Sequence, residues 1–348
     1  LKDINMKKIC ILGAGSWGTA QAVLLCKNVP AVCLWGRIED GLEDMARFRE
    51  NRRFLPGVSL PENLALMLDP EEALQGSDLV VCAVPSQALR RVLLQIKDFL
   101  PPDARLVNTA KGLEIETGMR LSQVAQDVLG EAIRYRFAVL SGPSHAEEVA
   151  REIPTAVTVA AYRRDTAIYV QDAFMSPMFR VYTNPDVAGV ELGGALKNII
   201  ALAAGIVDGL GYGDNTKAAL LTRGLTEITR MGEAMGGYPR TFSGLSGMGD
   251  LVVTCSSRHS RNRLAGELIG RGRSLEQALA EVGMVVEGAP TTKATHRLAG
   301  ELNVEMPITS ACYRTLYLGQ SPREGLEILM SRRKKHEVEE IAEKLPGW

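Results

Sequence analysis

The stretch Ile11-Leu-Gly-Ala-Gly-Ser-Trp-Gly-Thr-Ala20 sets glycines at 13, 15 and 18, behind the apolar run Ile9–Leu12 and ahead of the helical pattern Thr19–Lys27. An apolar run, glycines at this spacing and then a helix leave few ways to fold: strand, tight turn, helix. In that setting Gly13 permits the turn, Gly15 lets backbone approach a pyrophosphate, and Gly18 lets the helix pack closely on the strand. The helix N-terminus offers free N–H groups and a partial positive charge to phosphates. Ser16 and Trp17 lie within the loop and are expected to touch what it binds. The stretch points to a dinucleotide rather than to a plain turn.

The surrounding pattern agrees. Short apolar runs at Lys8–Leu12, Val32–Trp35, Leu79–Ala83, Leu106–Thr109, Phe137–Leu140, Thr155–Ala160 and Arg180–Tyr182 read as strands. The helical spacings Thr19–Lys27, Ser86–Phe99 and Arg120–Leu129 fall between them, which predicts βαβ units and a parallel sheet. Strands that end in Gly13, Gly36-Arg37, Pro85-Ser86, Ala110-Lys111-Gly112 and Ser141-Gly-Pro-Ser144 place polar tips at the carboxyl edge of that sheet, where ligands bind. After Asn184-Pro185 the pattern changes to long helical runs broken by glycine-rich loops. The chain, at 348 residues, therefore divides into an α/β, doubly wound domain at 6–185 and an all-α domain at 186–348, with residues 1–5 read as an extended start.

Composition narrows the partners. A net charge of −1 provides no general field toward nucleic acid or an acidic membrane, so an anionic ligand needs a local cluster of donors. The six cysteines and four histidines show no metal-ligand spacing, and no metal site is expected. Cysteines in apolar runs read as reduced, buried thiols. The most apolar helix, around Ala195–Leu210, contains Lys197 and Asp208 and reads as too short and too polar to span a bilayer. The tail Arg332-Arg-Lys-Lys335, followed by Glu337, Glu339 and Glu340, reads as a solvated helix face. No signal-peptide pattern precedes the first strand, and the expectation is a soluble, cytoplasmic protein.

Five sites carry the candidate chemistry. Arg37 closes the second strand, where an arginine accepts a 2′-phosphate, so NADPH is favoured; Glu39, two residues on, would serve NADH. Lys111 lies at the ligand edge of the sheet, a position shared by surface lysines and by lysines that meet substrate or cofactor. Lys197 stands in Ala195-Leu-Lys-Asn-Ile-Ile-Ala-Leu-Ala-Ala204, a helix that is apolar nearly all round, where desolvation lowers a lysine's pKa and suits it to proton transfer. Asp250 closes the loop Ser243-Gly-Leu-Ser-Gly-Met-Gly-Asp250 and is also a candidate helix N-cap. Ser260-Arg-Asn262 sets a hydroxyl, a guanidinium and an amide side by side, a donor set for a phosphate, or equally a polar helix start.

These segments together resemble the NAD(P)-dependent glycerol-3-phosphate dehydrogenases of the bacterial type. The resemblance runs from Gly13 to about Gly319. It is carried by Gly13-Ala-Gly-Ser-Trp-Gly18, Asn108-Thr-Ala-Lys-Gly-Leu-Glu114, Ser141-Gly-Pro-Ser144 with Ala146, Ala195-Leu-Lys-Asn198, Gly244–Asp250, Ser260-Arg-Asn262 and Val285-Val-Glu-Gly288. It implies a Rossmann-type N-terminal domain followed by a helical one, and a reversible reduction of dihydroxyacetone phosphate by NAD(P)H to sn-glycerol 3-phosphate for glycerophospholipid synthesis. By motif it assigns the cofactor to Ser16, Trp17, Arg37, Lys111, Ala146, Arg261, Val285 and Glu287. The substrate goes to Lys111, Gly142, Ser144, Lys197, Asp250, Ser260, Arg261 and Asn262, and Lys197 is the catalytic proton donor and acceptor. Asp250 is read as orienting or charge-balancing Lys197. A homodimer is implied by the resemblance alone. Two positions depart from the pattern: His145 replaces an aromatic residue, and Ile38 stands where a second polar group often assists Arg37.

Other readings fit part of the pattern. A two-domain dehydrogenase of the hydroxyacid or 6-phosphogluconate type shares the architecture and a lysine, but does not need Ser260-Arg-Asn262. A non-catalytic nicotinamide sensor would keep Gly13–Gly18 without Lys197, Asp250 and the phosphate donors.

Overall fold

The computed structural model describes residues 6–334, 336, 337 and 345. Eight strands, β1 (Lys8–Leu12), β2 (Ala31–Trp35), β3 (Leu64–Met67), β4 (Leu79–Cys82), β5 (Arg105–Asn108), β6 (Phe137–Ser141), β7 (Thr155–Ala161) and β8 (Phe179–Asn184), form one sheet in the order β3-β2-β1-β4-β5-β6-β7-β8. The first six run parallel in the order of a dinucleotide-binding sheet, with the switch point between β1 and β4. Helices on both faces bury the β-branched and leucine side chains of these strands in two apolar layers.

The expected parallel sheet needs one correction. β7 runs antiparallel to β6, with Ser141 opposite Thr158 and Ala138 opposite Ala161, so β8 beside it is also reversed relative to β1–β6. A reversed neighbour needs no crossover, and residues 142–154 hold only the five-residue helix Ala146–Ala150. β3 was not expected: it is a four-residue edge strand of Leu, Ala, Leu and Met, residues with little β preference, and only Leu64 is buried.

Beyond Asn184 no strand occurs among the described residues. The second half is built on the helix Val187–Gly209, started by Asp186, whose Oδ1 accepts the Gly189 N–H at 2.8 Å. Asp186 Oδ2 accepts the Tyr238 N–H and the Thr241 hydroxyl, tying the return of the helix Asp214–Ala234 to the same point. The central helix is 23 residues long, longer than the run read from the sequence, with a mean hydropathy of 1.6 over its most apolar 18-residue window. It is long and apolar enough to cross a bilayer, but that window is wholly buried inside the protein. Its apolar character on every side is that of a helix surrounded by others.

The helix Arg261–Gly270 crosses it at backbone contact. A Cβ on Gly205 would stand 1.9 Å from the Arg263 carbonyl oxygen, and one on Gly266 would stand 2.0 Å from that of Leu202. This crossing fixes where Ser260, Arg261 and Asn262 begin their helix. The final described helix ends at Met330, so Arg332, Arg333 and Lys334 lie beyond it and not on a helix face. Lys335, Glu339 and Glu340 of that run, and residues 1–5, fall outside the described residues.

Gly266→Ala forces two backbones apart. The expected result is a loss of about 1–3 kcal/mol, read as a lower midpoint in thermal or denaturant unfolding. An unchanged midpoint would show that the crossing is not this close.

Candidate active site

β1 delivers the chain into the glycine loop, where the Gly13 N–H donates to the Trp35 carbonyl at 2.8 Å. Gly13 adopts φ +115°, and a Cβ there would meet the Ala83 carbonyl oxygen at 2.8 Å. A Cβ on Gly18 would stand 1.9 Å from the Gly13 carbonyl oxygen, so the helix Ser16–Leu25 packs on the loop only without a side chain at that point. Gly15 differs: a Cβ there meets nothing within 4 Å. Its open side faces a cleft, and the helix behind it has neither a capping side chain nor an acidic residue in its first turn. That is an open cradle of unpaired N–H groups suited to a diphosphate, so the residues present fit a dinucleotide.

The cleft has a volume of about 700 Å³ and runs between the sheet's carboxyl edge and the helical half. Gly13, Gly15, Ser16, Trp17, Arg37 and Ala146 line it from the first half, with Lys111 and Ser144 farther along. Lys197, Asp250, Ser260, Arg261, Asn262, Val285 and Glu287 line it from the second. Gly18 and Gly142 are not on its wall. Gly142 acts through its carbonyl, which accepts from Lys111 Nζ at 2.9 Å and from the Ser144 hydroxyl at 3.0 Å.

At the centre, Asp250 stands between two lysines. Lys111 Nζ is 2.6 Å from its Oδ2 and Lys197 Nζ is 3.0 Å from its Oδ1. Lys197 also donates to the Thr254 hydroxyl at 2.6 Å, and that hydroxyl donates to the Asp250 carbonyl oxygen at 2.6 Å. Burial brings the Lys197 ammonium down to about 8; the Asp250 carboxylate opposes that fall and Lys111 adds to it. Burial also works against the Asp250 charge, but the two ammonium groups outweigh it and hold the carboxyl below its usual range. Asp250 opens the helix Asp250–Ser256 as its first residue, and the capping position belongs to Gly249. The N-cap alternative is thereby replaced by an ion-pair role.

The helix Arg261–Gly270 starts with Ser260 as its cap, the hydroxyl accepting the Arg263 N–H at 3.2 Å. Burial lowers the Arg261 guanidinium, opposed by Glu287 and Glu147, yet an arginine stays charged in proteins. The Asn262 side chain serves the frame: its Nδ2 donates to Asn198 Oδ1 at 2.9 Å and its Oδ1 accepts the Gly288 N–H at 2.8 Å. The hydroxyl and the amide of Ser260-Arg-Asn262 thus hold the helix start in place, and the guanidinium remains for an anion. Glu287 reaches across the cleft to accept the Ser86 N–H at 2.8 Å; burial raises its carboxyl despite those bonds and Arg261.

With this geometry in view, likeness to known proteins is decisive. Family models for the N-terminus and the C-terminus of NAD-dependent glycerol-3-phosphate dehydrogenase match residues 8–167 and 186–327. The chain belongs to this family. It is 65% identical to the glycerol-3-phosphate dehydrogenase [NAD(P)+] of Syntrophomonas wolfei over 343 residues, covering 99% of this chain and 100% of the relative. It is 55% identical to that of Pelotomaculum thermopropionicum, covering 96% of each. The crystal structure of glycerol-3-phosphate dehydrogenase from Coxiella burnetii superimposes with a TM-score of 0.90 at 38% identity, covering 94% of this chain and 99% of that one.

Some participants in this dehydrogenase's cleft were not singled out from the sequence. Thr254 lies one helical turn after Asp250, so the i, i+4 spacing was a usable signal. Asn198 follows Lys197 and donates to the Lys111 carbonyl at 3.1 Å, linking the two lysine-bearing segments. Ser86 offered no signal, because its N–H and hydroxyl both donate to Glu287, a residue 201 positions away that only the fold brings near. No group of metal-ligating side chains occurs among the described residues.

Replacing Asp250 by Asn removes the one carboxylate shared by both lysines. The sign follows from the geometry: Asp250 props up the Lys197 pKa, so Asp250→Asn lowers it further below about 8. A titration by 13C-lysine NMR, assigned with Lys197→Arg, would read the change. An unmoved Lys197 titration would show that Asp250 does not hold its charge. Stability should fall by about 3–5 kcal/mol, the usual effect of breaking a buried pair.

Proposed function

We propose that the cleft carries out the reversible, NAD(P)H-dependent reduction of dihydroxyacetone phosphate to sn-glycerol 3-phosphate, with Lys197 moving the proton. The observation that carries the assignment of roles is the pairing of Lys197 with Asp250 on the wall of the cleft that the glycine loop also lines. A bound nicotinamide would supply or take the hydride at the carbon bearing the reacting oxygen. Every other role falls to this chain.

Negative charge growing on the substrate oxygen is met by the Lys197 ammonium, which gives up its Nζ proton as the alcohol forms. In the oxidation, neutral Lys197 takes the hydroxyl proton. A pKa near 8 lets one group do both, since neither form is far from neutral pH. Asp250 holds Nζ in place together with the Thr254 hydroxyl. Lys111 brings a second cation to the same carboxylate from its own place on the cleft wall, where it would serve both cofactor and substrate. The Arg261 guanidinium and the N–H groups that open its helix are suited to the phosphate, aided by Ser144 and Ser260. Holding that remote phosphate positions the reacting carbon.

Gly13, Gly15, Ser16 and Trp17 would seat the diphosphate end of NADPH or NADH, with Gly18 letting the helix pack behind them. Arg37 would lie at its adenosine end, and Ala146, Val285 and Glu287 along its length. A nicotinamide sensor has no need of a lysine and an aspartate paired at this point, which favours the enzyme. The reading extends to a cytoplasmic homodimer that supplies glycerophospholipid synthesis. Resemblance to the family and a net charge of −1, with no field toward a membrane surface, support that part.

The test is NADPH and NADH oxidation with dihydroxyacetone phosphate, followed by absorbance. Lys197→Ala should lower kcat by about 10²–10⁴-fold while cofactor binding persists. In the wild type, ketone reduction needs the ammonium, so its rate should fall as pH rises through about 8, and alcohol oxidation should rise through the same value. An active Lys197→Ala enzyme, or profiles with the opposite sign, would overturn the role given to the lysine.

A further inference from the structure

The adenosine end of the cleft holds more charge than Arg37. β2 ends at Trp35, and Arg37, Glu39 and Asp40 follow on a short turn, all on the cleft wall. Asp40 grips Arg37 at three points: Oδ2 accepts the Arg37 backbone N–H at 2.9 Å and Nε at 3.3 Å, and Oδ1 accepts Nη2 at 3.0 Å. Glu39 stands 4.0 Å from Arg37 Nε. A second guanidinium arrives from a different segment: Arg53 lines the same wall, and its Nη1 donates to the Glu39 carbonyl oxygen at 2.5 Å. Ile38, between these residues, adds no polar group.

This arrangement bears on which cofactor is taken. A 2′-phosphate is a dianion, and two guanidinium forks suit it better than one. Arg37 alone is a compromised partner, because its fork is already engaged by Asp40, and a phosphate brought to it would also meet that carboxylate. Arg53 forms no close carboxylate ion pair among the described residues: its Nη1 meets a backbone carbonyl and its guanidinium lies over the face of Phe54, while its charge acts on the Asp40 carboxyl only at longer range. An unphosphorylated ribose has the opposite need, since its hydroxyls seek an acceptor, and Asp40 supplies one at the same place.

We propose that Asp40 and Arg53 set the choice between the two cofactors: Arg53 is the second cation for a 2′-phosphate, and Asp40 opposes that phosphate by holding Arg37 while accepting from an unphosphorylated ribose. This rests on the dinucleotide reading of the cleft and deepens it. It also accounts for a site that takes either cofactor, since two guanidinium groups and two carboxylates meet there.

Calorimetric titration of the intact enzyme with 2′,5′-ADP and with 5′-AMP separates the two ends of the argument, because the fragments differ at the 2′ position and need no turnover. Arg53→Ala should weaken 2′,5′-ADP about tenfold, as for one charged hydrogen bond lost, and leave 5′-AMP within about twofold. Arg53→Lys should restore part of that loss. Asp40→Asn keeps an oxygen to accept the Arg37 N–H, so the turn survives; it should tighten 2′,5′-ADP and weaken 5′-AMP. The ratio of kcat/KM for NADPH over NADH should follow, falling in Arg53→Ala and rising in Asp40→Asn. Equal losses for both fragments in Arg53→Ala, or an Asp40→Asn enzyme with the wild-type ratio, would overturn the assignment. Wild-type enzyme that binds neither fragment would overturn the dinucleotide reading along with it, which distinguishes that failure from this one.

Discussion

The structure depends on one carboxylate. Asp250 is buried with two ammonium groups against it, and among the described residues neither lysine forms an ion pair with another carboxylate. Taking charges out of water costs several kcal/mol per ion, and only close opposite charge with good hydrogen bonding offsets it. One aspartate divided between two lysines leaves a surplus of positive charge. For Asp250 the attraction of two partners exceeds the burial penalty, whereas for Lys197 half of one partner does not. Burial brings Lys197 into a range where it can hold or release a proton, and the shared carboxylate is too little negative charge to undo it. A second carboxylate would make the cluster more stable and the lysine less useful.

Holding that cluster requires three segments far apart in the chain to meet within a few ångström. Lys111 comes from the carboxyl end of β5, Lys197 from the central helix and Asp250 from the helix that follows the glycine-rich loop. Small residues make the approach possible. A Cβ on Gly194 would meet the Ser141 hydroxyl at 2.4 Å, and one on Gly193 would meet the Ser246 carbonyl oxygen at 2.8 Å. The glycines before Lys197 therefore let the central helix lie directly against the sheet edge on one side and the loop of Asp250 on the other. Asn198 fastens the result through the Lys111 carbonyl and Asn262.

Much of this was legible in the sequence because local patterns carry it. The strand–glycine–helix start, the change at Asn184-Pro185 and a lysine inside an apolar helix are each visible within a short window. The reversed β7 was not, since strand direction depends on how residues 142–154 travel, and alternation of strand and helix patterns does not encode that. β3 was lost because a short edge strand buries one residue and needs no β-branched pattern. Ser260 and Asn262 show another limit. Their residue types suit a phosphate, but the same hydroxyl and amide also suit a helix cap and a framework bond, and in the fold they make those bonds too while lining the cleft. Arg53 was invisible as a neighbour of this site, because only the folded chain brings the loop after Phe48 back to the Glu39 carbonyl beyond β2.

The two ends of the cleft differ in how strongly charge acts. At the chemical end the Asp250 side chain is 2% exposed and Lys197 7%, so water cannot screen their interaction and a single substitution changes a proton affinity. At the adenosine end Arg37 is 58% exposed, where ion pairs are weak and salt reduces them further. Changes at the exposed end therefore shift cofactor preference in small steps without disturbing the fold, while changes at the buried end alter reactivity and stability together. A chain built this way can drift between cofactors over few substitutions, but it keeps its chemistry only while Lys197 and its shared carboxylate stay in place.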